Sequence, residues 1–350
     1  MSITNLWKRE HMSHEWDTGF MVHQPSWHKM ENAVLKNSPR TWAEARTQAG
    51  LDWEVETREI SVSDYTRDID HEGAVYEAPG YQAIIRDDKP LGDSSRLLSV
   101  QKDSYKVITN SVFGDVIDTV LGREVESEDD PLNFEALFSL YGGRQIVALC
   151  YFDTPLQMTW DPSANYAYLA LVSRHDGQGG LRGLPTNVRV QCANTMNMAE
   201  AIDGRNVGFS IRHTSSWEDR LIEVSQGIQA ARGDSVKWLK FSQALSQWKV
   251  GGRQRESYLK KFLPVSDADG NQKADNTIIA REKIRTILDS PTCEDIRSNG
   301  YGLLMASTEW SDHFRGWNSK DSYVGRQLLQ KQEPKARSAR ILREMASIKV

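Results

Sequence analysis

The sequence predicts an α+β fold: a mainly antiparallel β-meander sheet with packed helices, then a long helical segment and a helical C-terminal region. Short β-rich runs, broken by turn signals, fill residues 53–109 and return at residues 144–191. Apolar residues at three- and four-residue spacing dominate residues 215–248. A chain of 350 residues, 39% apolar and 26% charged, has the composition of a folded protein with a sizeable core.

Residues 1–40, rich in His, Trp, Ser and Pro without periodicity, read as an irregular arm. Its histidines, His11, His14, His23 and His28, lack acidic or thiol partners at helix spacing, so no metal site is expected; Trp16 and Trp27 are expected to pin the arm by apolar burial. An α+β core domain is expected over residues 41–214. It opens with a short helix at 41–51, with Thr41 as N-cap and Gly50 as its stop. Residues 53–60 alternate apolar and charged positions as a half-buried strand does, and 81–86, 96–101 and 105–109 read as three further strands. Asn110 is expected to cap a helix that Gly122 ends. Eight acidic residues against Arg123 between Asp115 and Glu135 read as a solvated surface. Runs 144–152 and 165–172 are apolar at nearly every position, so both faces of their sheet should be covered, with Cys150 a small buried hydrophobe.

Residues 173–199 form the densest polar stretch: a strand end, a glycine-rich loop (Gly177, Gly179, Gly180, Gly183), a strand at 186–191, and a helix start around Asn194. Beyond it, a long helical segment is expected over 215–264, interrupted at Gly233, and a helical C-terminal region over 277–350 that ends in a basic tail.

The chemistry on offer sorts into three kinds. His175 and Asp176 resemble a metal-binding pair, but the further helix-borne histidines that such hydrolases need are missing. Cys192 with His175 or His213 would make a thiolate pair only if the fold brought them together. No glycine-rich nucleotide cradle or nucleophile elbow occurs, and no cofactor is expected. The third kind is cationic. Between Ser173 and His213 five arginines stand against Asp176, Glu200 and Asp203, inside a chain of net charge −5. The guanidinium fork matches phosphate oxygens, and glycine lets backbone N–H groups approach. Arg174, His175, Arg182, Arg189, Asn194, Arg212 and His213 are therefore the candidate nucleic-acid contacts, with Tyr166, Tyr168, Phe209 and Trp217 near in sequence as stacking aromatics. The alternative is that these arginines pair with local carboxylates and fix the loops.

The succession GYQAIIR, YKVITN, GGRQIVALCYF, SRHDGQGGLR, VRVQCANTMNMA, IRHTSS and TEWSDHFRG resembles the phage/plasmid-like proteins grouped as domain of unknown function 932. Leu98-Ser99-Val100 and Ala193 depart from that pattern. The resemblance implies a mobile genetic element and the cytoplasm of a bacterial host, which agrees with three widely spaced cysteines and no apolar run of membrane-spanning length. It implies no settled reaction. Three readings stand: a non-enzymatic accessory that binds or anneals single-stranded DNA, as a homo-oligomer by analogy with ring-forming phage annealing proteins; a metal-dependent nuclease or other hydrolase using His175, Asp176, Cys192 or His213; and a module that engages a host protein.

Overall fold

The computed structural model describes residues 19–22, 35, 37–63, 75–125, 132–152, 156–189, 194–197, 209–213, 222–265, 271–315 and 333–349. The four N-terminal histidines, Trp16, Trp27, Cys192 and Trp217 lie outside them, as do the side chains of Arg189 and Asn194.

The architecture is α+β. In chain order the strands are β1 (Gly19–Met21), β2 (Val55–Ser63), β3 (Val75–Arg86), β4 (Leu97–Lys102), β5 (Leu132–Leu140), β6 (Gln145–Phe152), β7 (Asn165–Arg174), β8 (Leu181–Arg189), β9 (Asn194–Asn197) and β10 (Phe209–Ile211). The helices are α1 (Trp42–Gln48), α2 (Asn110–Val125), α3 (Ile222–Gln247), α4 (Gly252–Phe262), α5 (Asn271–Leu288), α6 (Gly300–Glu309) and α7 (Glu333–Met345). The larger sheet runs β1-β5-β6-β7-β8-β10, with β9 also on β8; the smaller runs β2-β3-β4. Every pairing is antiparallel.

The larger sheet buries both faces, which is why β6 carries an apolar or buried residue at each position. On one face Leu137, Ile146, Ala148, Cys150, Leu169 and Leu171 pack with Phe113 and Ile117 of α2, Trp42 of α1, and Ile84 and Leu98 of the smaller sheet. The other face buries Phe138, Val147, Leu149, Ala170 and Val172. A second core lies among the C-terminal helices, around Trp238, Phe241, Tyr258, Phe262, Tyr301 and Leu342.

Several sequence expectations give way to tertiary contacts. Residues 105–109 form no ladder, because side chains satisfy their backbone instead: Gln82 Nε2 donates to Tyr105 O at 2.6 Å, and Ile108 N lies 3.3 Å from His213 Nδ1. Asn110 does not cap α2. The Glu54 carboxylate accepts from the Asn110 and Ser111 N–H groups at 3.0 and 3.3 Å, and Thr109 Oγ1 accepts from Val112 N at 3.2 Å. Gly122 and Gly233 fall inside α2 and α3 without ending either helix. Glu135, counted with the acidic run, is buried in β5. Around Asn194 a strand replaces the expected helix start, since Thr195 and Met196 pair with Val188 and Asn187.

Candidate functional site

The turn between β7 and β8 gathers most of the residues that composition singles out. Residues 175–180 form it, and β8 starts at Leu181, so Gly183 is strand rather than loop. Gly183 faces the Phe209 ring of β10, and an added Cβ would lie 2.0 Å from it; at Gly180 a Cβ would lie 1.8 Å from Ile211 O. These two glycines let β10 approach β8 closely. At Gly177, φ is +73° and the Gln101 carboxamide of β4 fills the space a Cβ would need, so the turn is seated against the smaller sheet. Ser99 Oγ strengthens that seat by donating to His175 O at 2.6 Å.

Within the turn, alternate side chains go to opposite destinations. Arg174, the last residue of β7, donates from Nε at 2.9 Å and from Nη2 at 2.5 Å to the two oxygens of Asp176. Burial pushes the Asp176 carboxyl up, but the Arg174 bonds, the Gln178 N–H and Gln145 outweigh it and hold the group below its ordinary value. His175 turns inward and is fully buried. Its Nε2 donates to Asn110 Oδ1 at 3.2 Å, while Asn110 Nδ2 donates to Trp53 O at 3.0 Å. Nδ1 of the same ring has no hydrogen-bond partner among the described residues. Burial, with the neighbouring His213, lowers the pKa of His175 to about 3, so the ring is neutral.

His213 joins the corner from the end of β10. Its ring stacks on Tyr105 at 4.5 Å between centroids, and Nδ1 lies 3.0 Å from Lys106 O and 3.3 Å from Ile108 N. Burial lowers its pKa as well, against the pull of the Lys106 and Arg174 carbonyls. Tyr105 Oη donates to Arg174 O at 3.2 Å, and burial raises the pKa of that phenol. Arg182, on β8, is half-buried beside Arg174 and Asp176; Arg212 is exposed.

The structure therefore brings together Arg174, His175, Asp176, Arg182 and His213, and adds Asn110, Tyr105 and Gln145. His175 and His213 are interior groups that hold three loops, not surface contacts. Both Asp176 oxygens are engaged by Arg174. Among the described residues no three His, Cys, Asp or Glu side chains come together where a metal ion could sit.

A second feature lies on the smaller sheet. Ile84 faces the core, so the alternate positions Ala83 and Tyr81 of β3 face the other side of the sheet. Tyr81 stands opposite Lys102, and Arg58, Ala83 and Val100 form the adjacent cross-strand row. Tyr81 is 53% and Val100 50% exposed; Lys102 and Arg58 are exposed too, Arg58 touching Glu56. Period-two alternation in YQAIIR and RLLSVQK carries this signal, though only the pairing of the strands aligns Tyr81 with Lys102.

Fold and site together define an α+β protein in which an arginine-bearing glycine turn is seated against a small open sheet. Residues 97–343, from β4 into α7, match the family described as "Domain of unknown function (DUF932)", and the chain belongs to that family. No curated protein and no solved structure matches it.

Proposed function

We propose that this chain is a non-enzymatic single-stranded-DNA-binding accessory of a mobile element, acting in annealing, replication or recombination. The observation that carries the reading is the outward face of the β2-β3-β4 sheet, with Tyr81 beside Lys102 and Arg58 beside Val100. An exposed aromatic on an open sheet offers a stacking surface for any base, and flanking cations follow the phosphate backbone without reading sequence. The Arg58–Glu56 contact is between exposed groups and weakly held, so the guanidinium stays available.

A fluorescently labelled oligonucleotide tests the reading. Replacing Tyr81 by Ala removes about 1–3 kcal/mol of stacking and lowers affinity roughly 5- to 150-fold, with little change in thermal stability because the residue is more than half exposed. Unchanged affinity in Tyr81→Ala would remove this face from the account.

A further inference from the structure

The arginine corner holds more positive than negative charge. Arg174 engages both oxygens of Asp176, which leaves Arg182 without a bonded carboxylate among the described residues. No hydrogen bond or ion pair joins its guanidinium to any described residue, and its Nε is shut off from solvent with no partner. A guanidinium cannot relieve such a position by deprotonating. Burial and the Arg174 charge both act against the cation, and only Asp176 favours it. A partly desolvated, repelled cation gains when an anion completes its surroundings. Gly179 supplies the remaining wall: a Cβ built on it would lie 3.2 Å from Arg174 Cδ and 4.0 Å from Arg182 Nε, so bare main chain passes between the two arginine stems.

We propose that Arg182, with Arg174 and the Gly179 main chain, forms a preformed oxyanion subsite that takes a phosphate group. Where the nucleic-acid reading above holds, the occupant is a backbone phosphodiester; the subsite itself requires only tetrahedral phosphate oxygens that match the fork. Asp176 is its internal competitor, because it holds the Arg174 fork that would otherwise also face the anion.

This arrangement separates a binding arginine from a structural one by the sign of a stability change. In phosphate-free buffer, Arg182→Met in the full chain is expected to raise the melting temperature, since it removes a half-buried cation that no described carboxylate pairs. Inorganic pyrophosphate should raise the melting temperature of the wild-type protein in a concentration-dependent way. Arg182→Met should lose at least about tenfold in pyrophosphate affinity by calorimetry, Arg182→Lys should keep part of it, and Asp176→Asn should gain several-fold. A fall in the melting temperature of Arg182→Met, failure of that variant to fold, or pyrophosphate binding indifferent to Arg182 would each overturn the subsite. The same variants titrated with a labelled oligonucleotide keep the two ideas apart. Arg182-dependent pyrophosphate binding without oligonucleotide binding supports the subsite and defeats the DNA reading. Tyr81-dependent oligonucleotide binding with Arg182-independent pyrophosphate binding does the reverse.

Discussion

His175 is the residue on which the corner turns. Its ring bridges the β7–β8 turn to Asn110, 65 positions earlier in the chain. The unfolded chain takes up a proton on this side chain near its ordinary value of 6.5, whereas the folded protein resists until about pH 3. Below pH 6.5 the unfolded state therefore binds the extra proton, so stability is fully present above that pH and declines as pH falls from 6.5 toward 3. The lowered pKa of His213 acts in the same direction. Urea midpoints taken between about pH 7.5 and about pH 4.5 should fall steeply for the wild type and less steeply for His175→Gln. Parallel profiles would contradict the buried, neutral ring. At this scale the sequence makes Arg174, His175, Asp176 and Arg182 conspicuous by density. It does not reveal that Arg174 and Asp176 spend themselves on each other, nor that Asn110 is the histidine's partner, because such pairings are set by which loops the topology brings together.

Among the elements, strands and helices with strong periodicity were legible, and those decided by neighbours were not. The all-apolar runs of β6 and β7 and the spacing in α3 announce themselves. Residues 105–109 have strand composition but lend their backbone to Gln82 and His213, and residues 194–197 become a strand because the edge of β8 is there to receive them. The glycines of the turn were visible; their purposes differ and depend on contacts. Gly180→Ala would drive a Cβ to within 1.8 Å of Ile211 O, a backbone atom, and should destabilise by about 1–3 kcal/mol or more while prying β10 from β8. Gly233→Ala, with nothing within 4 Å of the new carbon, should stabilise α3 by about 0.5–1 kcal/mol. Thermal unfolding of the two variants checks both signs.

Across the molecule, the sheets and the C-terminal helices have separate cores; Leu156 packs against both, and Tyr301 Oη donates to Asn165 Oδ1 at 3.4 Å between them. The basic C-terminal stretch is docked helix. Lys335, one of its cations, forms a buried ion pair with Asp312 at 2.7 Å, and Ser338 Oγ lies 2.6 Å from Tyr258 Oη. Breaking that pair leaves a buried charge, so Asp312→Ala should cost roughly 3–5 kcal/mol and expose α7 to limited proteolysis. Counting charges in the sequence could not foresee this, because burial decides which cations face solvent. Among the described residues no helix is long and apolar enough to cross a membrane.

On the proposed reading, the open sheet carrying Tyr81, Lys102 and Arg58 binds single-stranded nucleic acid. Its most direct test is the anisotropy of a labelled oligonucleotide titrated with the full chain between about 50 and 200 mM salt. Binding at low salt that weakens linearly on a log–log plot as salt rises, with a shallower slope in Lys102→Ala, is the expected result. No anisotropy change at the lowest salt, or binding that ignores both salt and Lys102, would contradict it.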